Sequence, residues 1–289
     1  MRTPVFAAAA MLMALTCLTS AAAQSVTFVA NQPRQIPFEL SSGYLIVVEG
    51  SIGDSERLRF VVDTGTTRTC VDRRLATKLA LPLAPHTVFR FGQAIRLSSG
   101  TLPALSIGPL RAERFLVNVT DLSGLRVEGG QIDAIIGLDL LGVFPFEIDY
   151  KQMRISFGPL EPLAESASME QIPWLPVVSL RVDQFTYRVL IDTGARNIVF
   201  YSERLKGAYH HLKKMDTQIW ADSLGGRVEA RRALFLGSSA SNRVADEVYL
   251  VHAPLAGPLS STDGVLSPVA FGIQQIGFDF TRHIVTWTR

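Results

Sequence analysis

Two short segments each place an aspartate at the end of an apolar run and directly before a Thr-Gly turn. In Phe60–Thr66 the aspartate is Asp63, and in Val189–Ala195 it is Asp192, 129 positions later (192 − 63). Two carboxyl groups held close together cannot both ionise, so one keeps its proton while the other is charged. Such a pair can serve as general acid and general base in one reaction, which is the chemistry predicted for Asp63 and Asp192.

The segments downstream of the two aspartates repeat with nearly the same spacing. Asp133 follows the first aspartate by 70 positions, and Asp263 follows the second by 71. Strand-like segments that contain Asp149 and Asp279 follow at 86 and 87 positions. Two long copies indicate a duplicated domain, because solenoid repeats are shorter and need more copies. The alternative is that each aspartate only caps its own turn.

Strand patterns dominate the chain after its N-terminal segment. Gly43–Gly50 and Leu58–Val62 predict a hairpin that leads into the first aspartate, and Val177–Val182 and Thr186–Ile191 repeat this hairpin before the second. The helical pattern is brief, chiefly Arg73–Leu81. The predicted fold class is therefore all-β with short helices.

The paired Asp-Thr-Gly segments, with the apolar segment Ile135–Gly137 after the first, resemble the pepsin and retropepsin superfamily of aspartic proteases. The likeness is closest to bacterial secreted retropepsin-like proteins, and it covers nearly all of the chain after about residue 40. It implies a bilobal acid-protease fold, with two duplicated β-barrel-like lobes and a cleft between them. It also implies an endopeptidase that hydrolyses polypeptides with water activated between Asp63 and Asp192, without a metal or organic cofactor. The rival interpretation is a peptide-binding or scaffolding protein that keeps this fold without turnover.

The resemblance also assigns an active-site scaffold around the two aspartates. Its residues are Thr64, Gly65 and Thr66 in the first copy, and Thr193, Gly194 and Ala195 in the second. The first threonine of each copy is expected to bond across to the opposite lobe, and each glycine lets a backbone amide approach the carboxylate. Thr66 could donate to its aspartate, whereas Ala195 cannot. The pair is therefore expected to be less acidic than in pepsin, with Asp63 as the more readily ionised partner. The second copy also departs from the family pattern at Ser267, where the first has a glycine.

Two hairpins are expected to form flaps over the cleft, at Phe89–Arg96 in the first copy and Asp222–Arg227 in the second. The flap residues predicted from the resemblance are Phe91, Gly92, Gly225 and Gly226. Two flaps would make the protein more similar to retropepsin than to pepsin.

The N-terminal segment, residues 1–23, has the pattern of a signal peptide. One positive charge precedes the apolar run Val5–Thr16, and small residues at Ala21–Ala23 suit a signal peptidase. The run is shorter than the roughly 20 residues that span a bilayer as a helix, so an uncleaved anchor is the lesser alternative. The mature chain is therefore expected to be secreted or periplasmic, without stable membrane insertion.

Proline and small polar residues, together with the net charge, predict the domain boundary and the kinds of partner. Residues 161–171 are rich in proline and small polar residues and predict a linker between an N-terminal lobe, residues 24–160, and a C-terminal lobe, residues 172–289. The formal net charge of +2 argues against a nucleic-acid partner. A monomer is expected, because two different halves can close their shared site within one chain. The alternative is that the lobes pair between two chains. His210–His211 lacks cysteine or carboxylate at ligand spacing, so no metal site is expected.

Overall fold

A computed structural model describes residues 25–30, 32, 34–90, 93–125, 127–170, 172, 175–182, 185–205, 212–223, 226–235, 246–252 and 260–289. Within these ranges, 22 strands and two short helices are present. The strands form sheets of nine, six and seven strands. The prediction of an all-β protein is confirmed. No helix in the described part of the chain is both long and apolar enough to cross a bilayer.

The nine-stranded sheet carries the first Asp-Thr-Gly segment. Its strands are β1 (Ser25–Phe28), β3 (Glu39–Ser41), β4 (Leu45–Ile52), β5 (Ser55–Val62), β6 (Cys70–Asp72), β7 (Ala84–Arg90), β8 (Gln93–Ile107), β9 (Leu110–Thr120) and β10 (Ala134–Ile136). Strand β5 is antiparallel to β4 and parallel to β10. Strand β10 is antiparallel to β6, which is parallel to β9. Asp63 directly follows β5. Because β5 is paired with β4 on one side and β10 on the other, the position of Asp63 is fixed.

The seven-stranded sheet repeats this arrangement around the second segment. Its strands are β14 (Val177–Val182), β15 (Phe185–Ile191), β16 (Ile198–Tyr201), β17 (Leu212–Ser223), β18 (Gly226–Phe235), β19 (Asp246–Val251) and β20 (Gly264–Leu266). Strand β15 is antiparallel to β14 and parallel to β20. Strand β20 is antiparallel to β16, which is parallel to β19. Asp192 follows β15 as Asp63 follows β5.

The six-stranded sheet joins strands from both sides of the predicted linker. Its strands, in spatial order, are β13 (Glu165–Ser168), β22 (Ile284–Thr288), β21 (Gln275–Asp279), β11 (Phe146–Asp149), β12 (Arg154–Phe157) and β2 (Gln35–Pro37). Strand β13 lies within the segment predicted as a linker, so that segment contributes an edge strand. At the centre, the rings of Phe146 and Phe278 stack with centroids 5.0 Å apart. Burial of these aromatic side chains holds the two parts of the chain together.

The two helices are short, and each adjoins a strand near the first aspartate. They are α1 (Arg73–Lys78) and α2 (Leu138–Leu141). Asp72 caps α1, because its carboxylate accepts a hydrogen bond of 2.9 Å from the backbone amide two residues later. Helix α1 ends before the predicted Leu81, since Ala80 adopts a left-handed conformation with φ of 49°.

One face of the nine-stranded sheet forms an apolar surface beside the first aspartate. Val61, Ile135 and Cys70 lie in register on neighbouring strands and pack in a buried cluster with Tyr44 and Val88. Because side chains alternate along a strand, the carboxyl two residues after Val61 points to this same face. Cys70 is 2% exposed and forms no disulfide. Its Sγ donates to the carbonyl of Arg68 at 3.4 Å, and the side chain otherwise packs as a small apolar group.

Each of the two large sheets also carries a matching Arg-Asp-Arg group. The groups are Arg59, Asp133 and Arg74 in the first, and Arg188, Asp263 and Arg204 in the second. The aspartate accepts a hydrogen bond from the backbone amide of the first arginine, at 2.9 Å in one group and 2.8 Å in the other. The second arginine approaches the same carboxylate, at 2.7 Å and 3.6 Å respectively. The two groups pin the strands that precede the two aspartate loops.

Candidate active site

Asp63 and Asp192 lie side by side where β5 and β15 end. Both residues are 0% exposed. The amide of Asp63 donates to the carbonyl of Ile136 at 3.1 Å, and that of Asp192 donates to the carbonyl of Leu266 at 3.0 Å. The parallel strand next to each loop therefore positions its aspartate. The two carboxyl groups are neighbours, because each packs against the glycine of the opposite loop. Two adjacent buried carboxyl groups resist ionising together, which favours a state with one proton on the pair.

Gly65 and Gly194 each contact both carboxyl groups. The amide of Gly65 donates to Asp63 Oδ1 and that of Gly194 donates to Asp192 Oδ1, both at 2.8 Å. Each glycine also packs against the opposite carboxyl. A Cβ at Gly65 would lie 2.4–2.7 Å from the carboxyl atoms of Asp192, and one at Gly194 would lie 2.8–2.9 Å from those of Asp63. Both positions therefore require glycine for steric reasons, which the sequence alone did not indicate.

The two carboxyl groups differ in their remaining hydrogen bonds. Thr66 Oγ1 donates to Asp63 Oδ2 at 3.0 Å. Ala195 occupies the matching position beside Asp192 and has no hydroxyl. Within the described part of the chain, no N–H or O–H group donates to Asp192 Oδ2. Asp63 is thus better prepared to carry the negative charge.

The electrostatics of the pair follow from these contacts. Burial raises the pKa of Asp63 to about 6, although hydrogen bonds from Asp192, Gly65 and Thr66 oppose the rise. Burial also raises the pKa of Asp192 well above its usual value, and the adjacent charge of Asp63 raises it further. The shared proton therefore resides chiefly on Asp192, while the protonation steps belong to the pair as a unit.

Thr64 and Thr193 lock the two loops together through reciprocal hydrogen bonds. Thr64 Oγ1 donates to the carbonyl of Ile191 at 2.8 Å and accepts from the amide of Thr193 at 3.1 Å. Thr193 Oγ1 donates to the carbonyl of Val62 at 2.9 Å and accepts from the amide of Thr64 at 3.0 Å. All four bonds are buried and connect residues more than 120 positions apart. They fix the separation and orientation of the aspartate loops.

The segments behind the loops differ between the two copies. A Cβ at Gly137 would lie 2.8 Å from the carbonyl oxygen of Thr66, so only glycine fits there without movement. The matching residue in the second copy is Ser267, which is 0% exposed. Its Oγ accepts a hydrogen bond of 3.3 Å from the amide of Ala270. The second copy therefore accommodates a serine by giving its hydroxyl a local partner.

Asp139 supports the first aspartate loop, although it was not among the site residues predicted from the sequence. Its carboxylate accepts hydrogen bonds from the amide of Thr69 at 2.9 Å and from Thr69 Oγ1 at 2.7 Å. Thr69 Oγ1 in turn accepts from the amide of Gly137 at 3.1 Å. The second copy has Ile198 and Val269 at the corresponding positions, so this network supports the first loop alone. The sequence signal that could have identified Asp139 is its position two residues after the apolar segment Ile135–Gly137.

The predicted flap tips fall largely outside the described residues. Of Phe91, Gly92, Gly225 and Gly226, only the last lies within a described strand, as the first residue of β18. Strands β7 and β8 pair up to Arg90 and Gln93, and β17 and β18 pair up to Ser223 and Gly226. Both predicted hairpins are therefore present as paired strands. Their role as flaps remains a prediction.

A comparison with protein families gives an independent match. Residues 48–140 match the family described as aspartyl protease. The matched segment contains Asp63 with its Thr-Gly turn and extends just past Asp139. It covers about a third of the chain and does not include Asp192. No curated protein matches the sequence. The match and the all-β architecture support an aspartyl protease family and a protease-like function.

Proposed function

We propose that the protein is an aspartic endopeptidase whose catalytic residues are Asp63 and Asp192. The observation that carries this proposal is the pair of fully buried carboxyl groups, each presented by an Asp-Thr-Gly turn and packed against the glycine of the opposite turn. Burying two carboxyl groups side by side is unfavourable for folding, because one must be desolvated as an anion or remain protonated. Acid-base chemistry provides a reason for this arrangement.

The asymmetry of the pair assigns the two roles. Asp63, which accepts hydrogen bonds from Gly65 and Thr66, is the ionised partner and removes a proton from the attacking water. Asp192 is the protonated partner and donates to the oxygen of the scissile carbonyl. The resulting gem-diol collapses when a proton passes to the leaving amine and the carbon–nitrogen bond breaks. The pair then returns to its starting protonation.

Two duplicated lobes, residues 24–160 and 172–289, form the proposed bilobal architecture. Three matching features support it: the parallel strands beside each aspartate, the two Arg-Asp-Arg groups and the reciprocal threonine bonds. Strands from both proposed lobes form the six-stranded sheet. The segment 161–171 connects the lobes and contributes strand β13 to this sheet.

We expect the active form to be a monomer. Both aspartates, both threonines and the shared sheet belong to one chain, so no second copy is needed to complete the site. Specific activity should stay constant on serial dilution, while sedimentation shows a single species of about the chain's mass. Loss of activity in parallel with dissociation of a dimer would contradict this arrangement.

We propose that the N-terminal segment directs the enzyme out of the cytoplasm. Residues 1–23 carry the signal-peptide pattern, and the first described strand begins at Ser25, so cleavage after Ala23 would leave every described strand intact. This pattern supports a secreted or periplasmic location. Cys70 is buried and forms no disulfide, which is compatible with an oxidising compartment.

The experiment that tests the proposal uses the mature chain, residues 24–289, with a diverse peptide mixture. Mass spectrometry should detect paired products from internal cleavage, and a statine-type mimic of the gem-diol should inhibit their formation. The alternative function, a non-catalytic peptide-binding or scaffolding protein, predicts saturable peptide binding with no cleavage products. That result would reject the endopeptidase proposal.

The hydroxyl beside each aspartate should set the pH range of activity. The pair is competent with one proton, so the acid limb follows ionisation of Asp63, whose pKa is about 6, and the basic limb follows that of Asp192. Thr66→Ala removes a donor to the charged form of Asp63 and should move the acid limb to higher pH. Ala195→Ser adds a donor to Asp192 and should move the basic limb to lower pH. Shifts of up to about one unit are expected, equivalent to about 1.4 kcal/mol.

The measurement is kcat/KM against pH for the wild type and both variants. The wild type should be active in the weakly acid to near-neutral range. A wild-type optimum as acid as that of pepsin, or a basic limb that Ala195→Ser does not move, would show that these hydroxyl positions do not control protonation of the pair.

A further inference from the structure

The two aspartate loops differ in the position of their cationic residue. Arg196 lies four residues after Asp192, and the matching position four residues after Asp63 is the uncharged Thr67. Arg196 is exposed, whereas the first loop carries its arginine one position later, at the half-buried Arg68. A substrate lying across the pair would therefore meet guanidinium groups at different positions on its two sides.

Arg196 is held in place by an aromatic ring from the other half of the chain. Its Cζ lies 5.9 Å from the ring centroid of Tyr44, which is only 5% exposed. A buried ring is a rigid support, and stacking a guanidinium on it restricts the side chain while leaving the N–H edge available. Arg196 is thus presented in a defined position.

The charge of Arg196 acts on two tyrosines, one from each half of the chain. Burial raises the pKa of Tyr44 to about 12; the positive charge of Arg196 opposes this rise, and the negative charge of Asp192 adds to it. Arg196 also opposes the rise in the pKa of Tyr249, a buried residue of β19. The guanidinium therefore lies near Tyr44 and Tyr249, and Tyr44 in turn lies near enough to Asp192 to sense its charge.

Arg196 also lacks an acidic partner among the side chains that the structure describes. No carboxylate of that set lies within ion-pair distance of its guanidinium. By contrast, Arg188 in the same half binds both carboxylate oxygens of Glu170. The exposed Arg196 therefore differs from a structural arginine whose charge is already paired.

We infer that Arg196 is a specificity-determining residue that selects polypeptides with an Asp or Glu side chain on one side of the scissile bond. The inference rests on the proposed endopeptidase function and adds a substrate class to it. A carboxylate can accept two parallel hydrogen bonds from a guanidinium, which gives both attraction and orientation. Because the first loop has Thr67 at the matching position and its own arginine, Arg68, is half-buried, the preference is expected on the side of Arg196.

The test uses matched peptides built on a sequence that the enzyme cleaves. Glu or Gln is placed at each position on either side of the scissile bond, and kcat/KM is measured near pH 6.5, where Glu is ionised. The wild type should prefer Glu about fivefold at one position on one side, within the range of partly exposed ion pairs. Raising the ionic strength should reduce this preference, because salt screens exposed charges.

Variants then assign the preference to Arg196. Arg196→Gln should bring the Glu/Gln ratio to about one, Arg196→Glu should favour Lys at that position instead, and Arg196→Lys should keep part of the preference. Arg282→Gln is the matched control, because Arg282 is an exposed arginine in the turn between β21 and β22 and its replacement changes the net charge equally. It should leave the ratio unchanged.

Three outcomes would overturn the inference: no charge preference in the wild type, an equal preference on both sides, or a ratio that Arg196→Gln does not change. The first two outcomes need only the wild type, so a preference that is absent, equal on both sides or insensitive to salt rejects the inference even if a variant fails to fold. Failure of the proposed function gives a different result, namely no cleavage of any peptide in the set.

Discussion

Asp63→Asn and Asp192→Asn should each lower kcat for peptide cleavage by at least about a thousandfold, within the range that positioned acid-base groups contribute. One carboxyl group cannot both accept the water proton and supply a proton to the carbonyl. An asparagine keeps an oxygen that can accept the hydrogen bond from Gly65 or Gly194, so the loop geometry should persist. The loss should therefore appear in kcat.

The stability of these variants separates loss of chemistry from loss of structure. The pKa of Asp63 rises from 3.8 to about 6 on folding, so the folded state holds this proton more tightly than the unfolded state. The free energy of unfolding should therefore fall as pH rises from about 4 to 6, and remain lower above that range. Asp63→Asn should lose this decline and be at least as stable as the wild type at pH 7, whereas Asp192→Asn should keep it, because burial of Asp63 is the main cause of its raised pKa.

Asp149→Asn is the matched control for a buried carboxyl outside the pair. Asp149 is 2% exposed and lies in β11, where it accepts hydrogen bonds from Gln152 and Gln275. This variant should keep cleavage activity. Near-normal turnover in either Asp63→Asn or Asp192→Asn would exclude a mechanism that needs both carboxyl groups.

Thr64→Val should destabilise the fold by about 3 kcal/mol, because it leaves two buried backbone groups without partners. The hydroxyl of Thr64 donates to the carbonyl of Ile191 and accepts from the amide of Thr193. Valine has a similar shape but can make neither bond. Thr193→Val should act similarly through Val62 and Thr64. Cleavage should also fall sharply, since the two aspartates lose their fixed separation.

Thr64→Ser is the control, because it keeps the hydroxyl and removes only a methyl group. Denaturant unfolding and kcat/KM should place Thr64→Ser close to the wild type and Thr64→Val far from it. If Thr64→Val and Thr64→Ser were equally stable, the reciprocal bonds would not be what holds the loops together.

The local features around the aspartates could be predicted because short sequence patterns encode them. An apolar strand followed by Asp-Thr-Gly predicted where Asp63 and Asp192 enter the site, and in the structure each carboxyl group packs against the glycine of the opposite loop. The missing hydroxyl at Ala195 predicted a pair whose two members differ. The strands and turn before each aspartate also followed from alternation and turn residues.

Contacts between distant residues could not be predicted in the same way. The glycine of each loop packs against the opposite carboxyl, and Arg196 stacks on Tyr44, but neither neighbour is visible from local spacing. The role of Asp139 was missed because its partner, Thr69, lies 70 positions away. Strand β13 was missed because its composition is that of a linker, and only pairing with β22 makes it a strand.

The six-stranded sheet has a consequence for how the chain folds. Its central pair joins Phe146 of β11 to Phe278 of β21, which are 132 positions apart (278 − 146). Until the last part of the chain is available, β11 has an open edge that can pair with the wrong strand or with another molecule. Pairing over such a distance also slows folding, because loop closure is costly before any contact compensates for it. We therefore expect folding to finish only when the C-terminal strands arrive, so that chains lacking β21 and β22 aggregate instead of forming a stable half.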